Sequence, residues 1–376
     1  MKLLHTSDWH LGITMRGASN YNQDQKYIIG EICKIASSES VDGIIIAGDV
    51  FDKNVASLEA IRLYDEVITD ISSSLNIPVF IIAGNHDGSD RLSQLNRLLV
   101  NSGVYIAGSL EREPKMYNFG DTDIYMLPWI STDRVKTIYP EDAEKIESLE
   151  DAYRVVLDKI RDTFSPSHKK VLVSHSFTVN GSDSDSVVGN AALINASVYD
   201  GFDYVALGHI HKPHNVTENV RYSGAPMAYS FGTEESQNKS VTIYDTNDGS
   251  KKEVILKPIR ERHTIKDTLE NILKADYPEN ILKGYVRLEV TDQFVGFETA
   301  SNFKLKYENV LEYTCPNIES DSGKITMSIE DLELVKGDPE KVFKSYCSDI
   351  LDNIELSDSF LSMFKEAVEE YGKETE

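Results

Sequence analysis

The sequence predicts a mixed α/β fold with two sheets, and three observations carry that reading. Short apolar strands alternate with stripes of apolar residues at helical spacing over the first ~260 of the 376 residues. Beyond His211 the pattern turns to short strands, "VRYSGAP" and "SVTIYD", as a second sheet requires and a single doubly wound sheet does not. Five of the apolar strands run straight into Asp, Asn or His in a Gly, Ser or Trp context.

Taken in order, "KLLHTSDWHLG" is an N-terminal strand that delivers Asp8 and His10. Ile28, Ile32 and Ile35 then mark a helix. "DGIIIAGDVFD" is a strand leading to Gly48, Asp49 and Asp52, and Ile61, Tyr64, Ile68 and Ile71 mark a second helix. In "PVFIIAGNHDG", four apolar residues follow Pro78, and Asn85, His86 and Asp87 sit between Gly84 and Gly88. Such an unbroken apolar run suits a strand covered on both faces. Leu92, Leu95 and Leu99 mark a third helix, and all three stripes are expected to pack in the core. "PEDAEKIESLEDAYRVVLDKIRDTF" reads as one charged helix on a solvated outer layer. "KKVLVSHSF" and "FDYVALGHIHKPH" are the last two strands of the set, ending at His175 and at His209 and His211.

Near His263 a small α/β unit of its own begins. "TIKDTLENILKADY" reads as a helix, "GYVRLEVTD" as an alternating strand, "ASNFKLKYENV" as a helix and "LEYTC" as a strand. Residues 319–337 are polar and broken by glycines, as a linker is. Asp338-Pro339 then opens the first of two short amphipathic helices, carrying Phe343, Tyr346, Ile350 and Leu351. The second carries Phe360, Leu361, Phe364, Val368 and Tyr371. Helices this short are marginal alone, so their apolar faces must dock on the body or on a partner.

Composition narrows the class. Hydrophobic content of 40% with 27% charged residues is that of a soluble globular protein. No apolar run approaches the ~20 residues of a membrane span, and no signal peptide is recognisable, so a cytoplasmic location is expected. Cys33, Cys315 and Cys347 lack disulfide or zinc–thiolate spacing. No Gly-rich phosphate loop opens a helix, which argues against nucleotide cradling. The formal charge of −24 is unlike that of a chain that grips DNA unaided. If DNA is the substrate, metal ions, a local basic patch or a partner must supply positive potential.

Each strand end alone reads as a turn, since Asp and Asn favour turns. Five together do not, because ligands of open α/β sheets bind beyond the carboxyl ends of the strands. The candidate ligands are Asp8, His10, Asp49, Asn85, His175, His209 and His211. These oxygen and imidazole donors suit Mn, Fe or Zn. Seven exceed the needs of one ion but would serve two ions sharing a carboxylate. Metal pairs ~3.5–4 Å apart are a recurring device for phosphoester hydrolysis. Neutral imidazoles and an amide would leave a loaded site cationic, as an anionic substrate requires. No activated serine or cysteine nucleophile is evident.

In chain order the motifs read D-x-H, GDxxD, GNHD, a lone His and GHxH, and this signature resembles the calcineurin-like metallophosphoesterases. Within them, "HTSDWHLG", "IIAGDVFD", "FIIAGNHDG", "YVALGHIHKPH" and "YSGAPMAYSFGTEESQNKSV" resemble the SbcD family, the bacterial nuclease subunits that work with an SbcC-type ATPase. The resemblance spans the chain, strongest to about residue 245 and loosest after 320.

It implies a two-sheet α/β/β/α sandwich over residues 1–262, an α/β capping domain over 263–318, a linker over 319–337 and partner-binding helices over 338–376. One ion, expected to be Mn2+, would be held by Asp8, His10, Asp49 and His211, and the other by Asp49, Asn85, His175 and His209, with Asp49 bridging. His86, which is no ligand in the family, would orient the scissile phosphate and serve as general acid; Asp52 receives no catalytic role. DNA, an SbcC-type ATPase docked on the C-terminal helices and a second copy of the chain are the implied partners, with no membrane. The implied activity is exonuclease on duplex ends and endonuclease on single strands and hairpins, in DNA break and hairpin processing.

Two rival readings have discriminating features. Phosphoprotein phosphatases of the superfamily carry an arginine after GDxxD and the motif GNHE, whereas Lys53 and Asn54 follow Asp52 and Asp87 stands in place of Glu. Small phosphodiesterases have no use for the last ~110 residues. A scaffold bridging DNA ends and a partner would not need a complete ligand set together with His86.

Overall fold

In the computed structural model, β1 (Lys2–Thr6) pairs in parallel with β2 (Gly43–Ala47), and β3 (Val79–Ile82) and β4 (Val104–Ala107) continue the sheet in parallel. On the other side of β1, β13 (Ser240–Asp245) and β14 (Lys251–Ile255) add antiparallel. The structure describes residues 1–14, 21–181, 192–235, 237–293, 295, 297–315 and 326–327. They fall into two units, Met1–Ile13 with Asn20–Ile259, and Thr14–Ser19 with Arg260–Glu376.

The first unit holds a second sheet. β6 (Thr122–Leu127), β7 (Lys169–His175), β10 (Tyr204–Gly208) and β12 (Val220–Tyr222) run parallel, with β5 (Lys115–Phe119) and β11 (His214–Asn215) antiparallel at the edges. A two-stranded ribbon, β8 (Thr178–Val179) with β9 (Ile194–Asn195), follows β7. Period-two side-chain alternation sends one set of each strand to a shared interior. Leu3, Ile45, Phe80 and Ile82 of the first sheet meet Ile124, Met126, Val171, Val173 and Ala206 of the second in one cluster. The far face of the second sheet, through Tyr125, Leu172, Val205 and Leu207, packs on Tyr153, Val156, Leu157 and Ile160 of helix α6 (Leu149–Arg161). On the far face of the first sheet Leu4, Ile44, Ile46 and Ile81 are fully buried as well. The architecture is therefore a two-sheet α/β/β/α sandwich.

The helical stripes meet mixed outcomes. In α1 (Tyr21–Ser38), Ile28 and Ile32 are buried and Ile35 is half-buried. In α2 (Leu58–Thr69), Ile61 faces solvent, and Leu63 and Val67 take the core positions beside Ile68. The third stripe is not one helix. α3 (Ser89–Leu92) and α4 (Asn96–Leu99) are separated by Leu95, whose φ of 59° lies in the left-handed region and breaks the ladder. Leu92 is buried, but Leu95 is exposed. The long charged helix divides too. A 3₁₀ stretch, Pro140–Lys145, precedes α6, because Ser148 and Asp151 form a capping box that fixes the start at Leu149. α6 is amphipathic, its apolar stripe serving the core. Between β6 and these elements lies α5 (Thr132–Ile138), capped by Ser131.

The second unit carries β15 (Arg262–Asp267), β16 (Tyr285–Val290) and β17 (Asn309–Thr314) in parallel, with β18 (Thr326–Met327) antiparallel to β17. Helices α7 (Leu269–Lys274), α8 (Glu279–Lys283) and α9 (Phe297–Lys306) complete it, around Ile265, Ile272, Val286, Leu288, Phe303 and Tyr307. The helix expected over "TIKDTLENILKADY" is corrected here. Thr264 to Asp267 extend alongside Arg287 to Val290, and Thr268 caps the helix by accepting from Asn271 N–H at 3.3 Å. Within the expected linker, Thr326 and Met327 pair with Thr314 and Tyr313. The two amphipathic helices expected over 338–376 lie outside the described residues. Among the described residues, no helix is long and apolar enough to cross a membrane.

Candidate metal centre

The loops that follow β1, β2, β3 and β10, and the last residue of β7, bring the predicted residues together at the carboxyl ends of the strands of both sheets. The first two loops are laced by backbone bonds: Asp8 N–H donates to Gly48 O at 3.0 Å, His10 N–H to Asp49 O at 3.0 Å and Leu11 N–H to Val50 O at 2.9 Å. Four of the predicted ligands take left-handed backbone conformations: Asp8 (φ 54°), His10 (43°), Asp49 (49°) and His209 (105°). Asp and His tolerate this region better than most residues, yet each costs about 1–3 kcal/mol and persists only where its surroundings hold it. Two glycines allow the close approach. A Cβ on Gly84 would lie 2.1 Å from Asp49 Oδ1, and one on Gly208 would lie 1.9 Å from Ala47 O.

Among the described residues, three groups place ligand atoms within 4.8 Å of one another: Asp8, His10 and His211; His10, Asp49 and His86; and Asp49, His175 and His209. Asn85 joins the third, its Oδ1 lying 3.1 Å from His175 Nε2 and 3.0 Å from His209 Nδ1. All seven residues singled out in the sequence, with His86, thus share one locus. Asp49 belongs to two groups: its Oδ2 is 3.3 Å from His175 Nε2 and 3.8 Å from His10 Nε2. His10 Nε2 and His211 Nε2 stand 3.2 Å apart. Asp8 accepts from His209 N–H at 3.0 Å and Asp49 from His86 N–H at 2.9 Å, so both carboxylates are fixed by backbone donors.

The rings are oriented as cation ligands need. A carbonyl only accepts, so His175 Nδ1–H donates to Ala47 O at 2.8 Å, and its Nε2 faces Asp49 and Asn85. His86 Nδ1–H donates to Asp52 O at 2.8 Å, and the residue is exposed at the edge of the centre, beside His10 and Asp49. The donor set of imidazoles, two carboxylates and an amide oxygen fits paired divalent cations.

The electrostatics are those of buried opposite charges. Burial works against charge on His175, but Asp49 more than compensates and raises its pKa to about 9. Burial likewise penalises the Asp49 carboxylate, and His175 and His10 nevertheless hold it well below the usual range. His209 moves the other way, lowered to about 4 by burial and by the neighbouring His175. Trp129 stacks on its ring at 6.1 Å, 24° from parallel.

Several residues at the centre were not singled out in the sequence. Asp87 accepts from Gly84 N–H (2.8 Å), Phe51 N–H (2.8 Å) and Val50 N–H (3.2 Å), tying the β2 and β3 loops together. Gln25 donates to the carbonyls of Trp9 and His10, and the Tyr229 hydroxyl also donates to Trp9 O. Glu234 accepts from His211 Nδ1 at 3.2 Å, and Lys239 pairs with Glu234 at 2.9 Å. Asp87 sits in the GNHD motif and Tyr229, Glu234 and Lys239 in the stretch "YSGAPMAYSFGTEESQNKSV", so the family resemblance could have pointed to them, whereas nothing in spacing or periodicity marks Gln25.

Known proteins match this chain. A family model described as calcineurin-like phosphoesterase matches residues 1–213, more than half of it. A Staphylococcus epidermidis protein named as the SbcD component of the SbcCD nuclease is 29% identical over 362 residues, covering 94% of each chain. A Staphylococcus saprophyticus protein of the same name is 27% identical over 357 residues, covering 93% of each. The crystal structure of the Thermus thermophilus protein TT1561 matches at a TM-score of 0.41 and 10% identity, over 68% of this chain and 98% of that one.

Proposed function

The chain belongs to the calcineurin-like phosphoesterase family, and on that premise we propose that it is a dinuclear-metal DNA nuclease acting with an SbcC-type ATPase. The observation that carries the reading is Asp49, whose Oδ2 lies 3.3 Å from His175 Nε2 and 3.8 Å from His10 Nε2, so that one carboxylate reaches both the group of His175 and His209 and the group of Asp8, His10 and His211. The names of the two staphylococcal relatives, matched over nearly their whole length, support nucleic acid as the substrate.

Asp8, His10, Asp49 and His211 would hold one divalent cation, and Asp49, Asn85, His175 and His209 the other, with manganese the expected metal. Such a pair, when bound, supplies Lewis acidity and the activation of water. The chain's own residues do the rest. Asp49 fixes the spacing of the two halves. His86, exposed and with Nδ1–H committed to Asp52 O, positions the scissile phosphate and delivers a proton from Nε2 to the leaving oxygen. The acid gain expected from such a group is about 10²–10⁴-fold. Residues 263–318 shape the DNA groove, residues 338–376 dock on the ATPase, which contributes positive potential to an acidic subunit, and two copies pair. The activity is exonuclease on duplex ends and endonuclease on single strands and hairpins.

Incubating the purified chain with manganese and linear duplex, single-stranded and hairpin DNA, beside a generic phosphodiester and a phosphopeptide, tests the proposal. Cleavage of DNA that chelation abolishes and manganese restores is expected. Hydrolysis of the small substrates alone would favour a phosphatase, and DNA binding without cleavage a scaffold.

A further inference from the structure

We propose that Glu234 and Lys239 are a positioning pair that sets the metal affinity of one half of the centre, the half built from Asp8, His10 and His211. The inference rests on the metal-centre reading above and deepens it. Both residues fall in the stretch "YSGAPMAYSFGTEESQNKSV", to which no role attaches so far.

The pair is buried, Glu234 at 8% and Lys239 at 5% exposure. Around the Glu234 carboxylate four donors converge: Ser230 Oγ at 2.8 Å and His211 Nδ1 at 3.2 Å on Oε1, Lys239 Nζ at 2.9 Å and Tyr229 N–H at 3.2 Å on Oε2. An ionised carboxylate can only accept, so His211 carries its hydrogen on Nδ1 and turns the Nε2 lone pair towards His10. Lys239 also donates to the His211 carbonyl at 3.0 Å. One ammonium therefore holds both the backbone of a ligand and the carboxylate that orients its ring. Buried ion pairs often add nothing net to stability, and a role in fixing a ligand accounts for this one.

The other half is built differently. His175 takes its orientation from the neutral Ala47 carbonyl, and His209 faces the amide oxygen of Asn85. A carboxylate partner raises the basicity of an imidazole ligand more than a neutral oxygen does, and losing such a partner costs about 10- to 100-fold in metal affinity. The two halves are thus unequal, and only one depends on Glu234.

Manganese titration of the full chain by calorimetry, with elemental analysis and electron paramagnetic resonance, tests this. The unaltered chain should take up two equivalents and give a spin-coupled spectrum. Glu234→Ala should keep one equivalent at unchanged affinity, weaken the other about 10- to 100-fold, and give a single-ion spectrum at limiting manganese. Glu234→Gln, which keeps an acceptor oxygen for His211 Nδ1–H, should fall between them, and Lys239→Met should weaken the same equivalent. Retention of both equivalents at full affinity in Glu234→Ala would overturn the inference, as would equal weakening of both at an unchanged melting temperature. Should the alanine variant unfold, the glutamine variant decides by the same criterion. An unaltered chain that takes up no manganese would overturn the metal-centre reading itself, a result distinct from a missing Glu234 effect in a chain that binds two ions.

Discussion

Asp49 and His175 meet across the two sheets, Oδ2 of one lying 3.3 Å from Nε2 of the other. One follows the end of β2 and the other closes β7, so the contact exists only when both sheets are formed and in register. The chemistry of the centre is therefore coupled to the packing of the sandwich.

Asp49→Ala should reduce metal content at both positions, because a single carboxylate stands beside both His10 and His175. His86→Ala should keep two metals per chain and nearly full DNA affinity while cleavage falls by about 10² or more. Elemental analysis of the two variants beside a cleavage assay separates the roles; equal metal loss in both would contradict them.

Acid should destabilise the fold through His5. Its ring is fully buried, with Tyr204 OH at 2.9 Å from Nδ1 and Nε2–H donating to Leu207 O at 3.1 Å. Burial, helped by the charge of Arg221, lowers its pKa to about 3 from the 6.5 of an unhindered imidazole. Between those values the unfolded chain binds a proton that the folded chain refuses. The contribution is thus complete above about pH 6.5 and lost towards pH 3, at a slope of at most ~1.4 kcal/mol per pH unit. Melting temperatures of the chain and of His5→Gln, recorded from pH 7 to 4, should show the shallower fall in the variant; parallel curves would refute the assignment.

Self-association should use the apolar side chains that α2, the turn before it and the broken third helix leave in solvent. Val55, Leu58, Ile61, Leu95 and Leu98 are 68%, 66%, 46%, 70% and 66% exposed, and a shared contact would take them out of water. Light scattering should give a dimer mass at micromolar concentration and a monomer for Leu98→Asp, with manganese uptake unchanged. A monomer mass for the unaltered chain would count against this surface.

Deleting residues 338–376 should leave manganese-dependent cleavage of single-stranded DNA intact and abolish co-purification with the ATPase. Burial of each large apolar side chain contributes about 1.5–3 kcal/mol, and the sequence pattern of Phe343, Tyr346, Phe360 and Phe364 is the ground for expecting a partner surface. A truncated chain that still holds the ATPase, or that unfolds, would return this segment to the body of the protein.

The strands and the seven strand-end residues were legible because both signals are local: an apolar run, then a polar ligand type at its end. The sheets follow where β-branched runs such as Ile44, Ile45 and Ile46 leave no helical alternative. What was not legible depends on competition between equal patterns. Ile61 and Leu63 are both apolar on α2, and only the packing decides that Leu63 goes inward. The residues from Thr264 to Asp267 read as the start of a helix until the parallel neighbour β16 claims their backbone. Leu95 breaks a stripe that periodicity alone would continue. Glu234 and Lys239 stand in a stretch that carries the family resemblance, but no regular period ties them to His211, so only the tertiary fold reveals what they do.

The left-handed backbone at Asp8, His10, Asp49 and His209 also sets an evolutionary direction. At each of these positions the main chain by itself favours glycine, and the side chain that chemistry demands is held there against that preference. A descendant relieved of its reaction could gain stability by exchanging these very residues for glycine, so a sturdier relative with glycines here would have traded activity for stability.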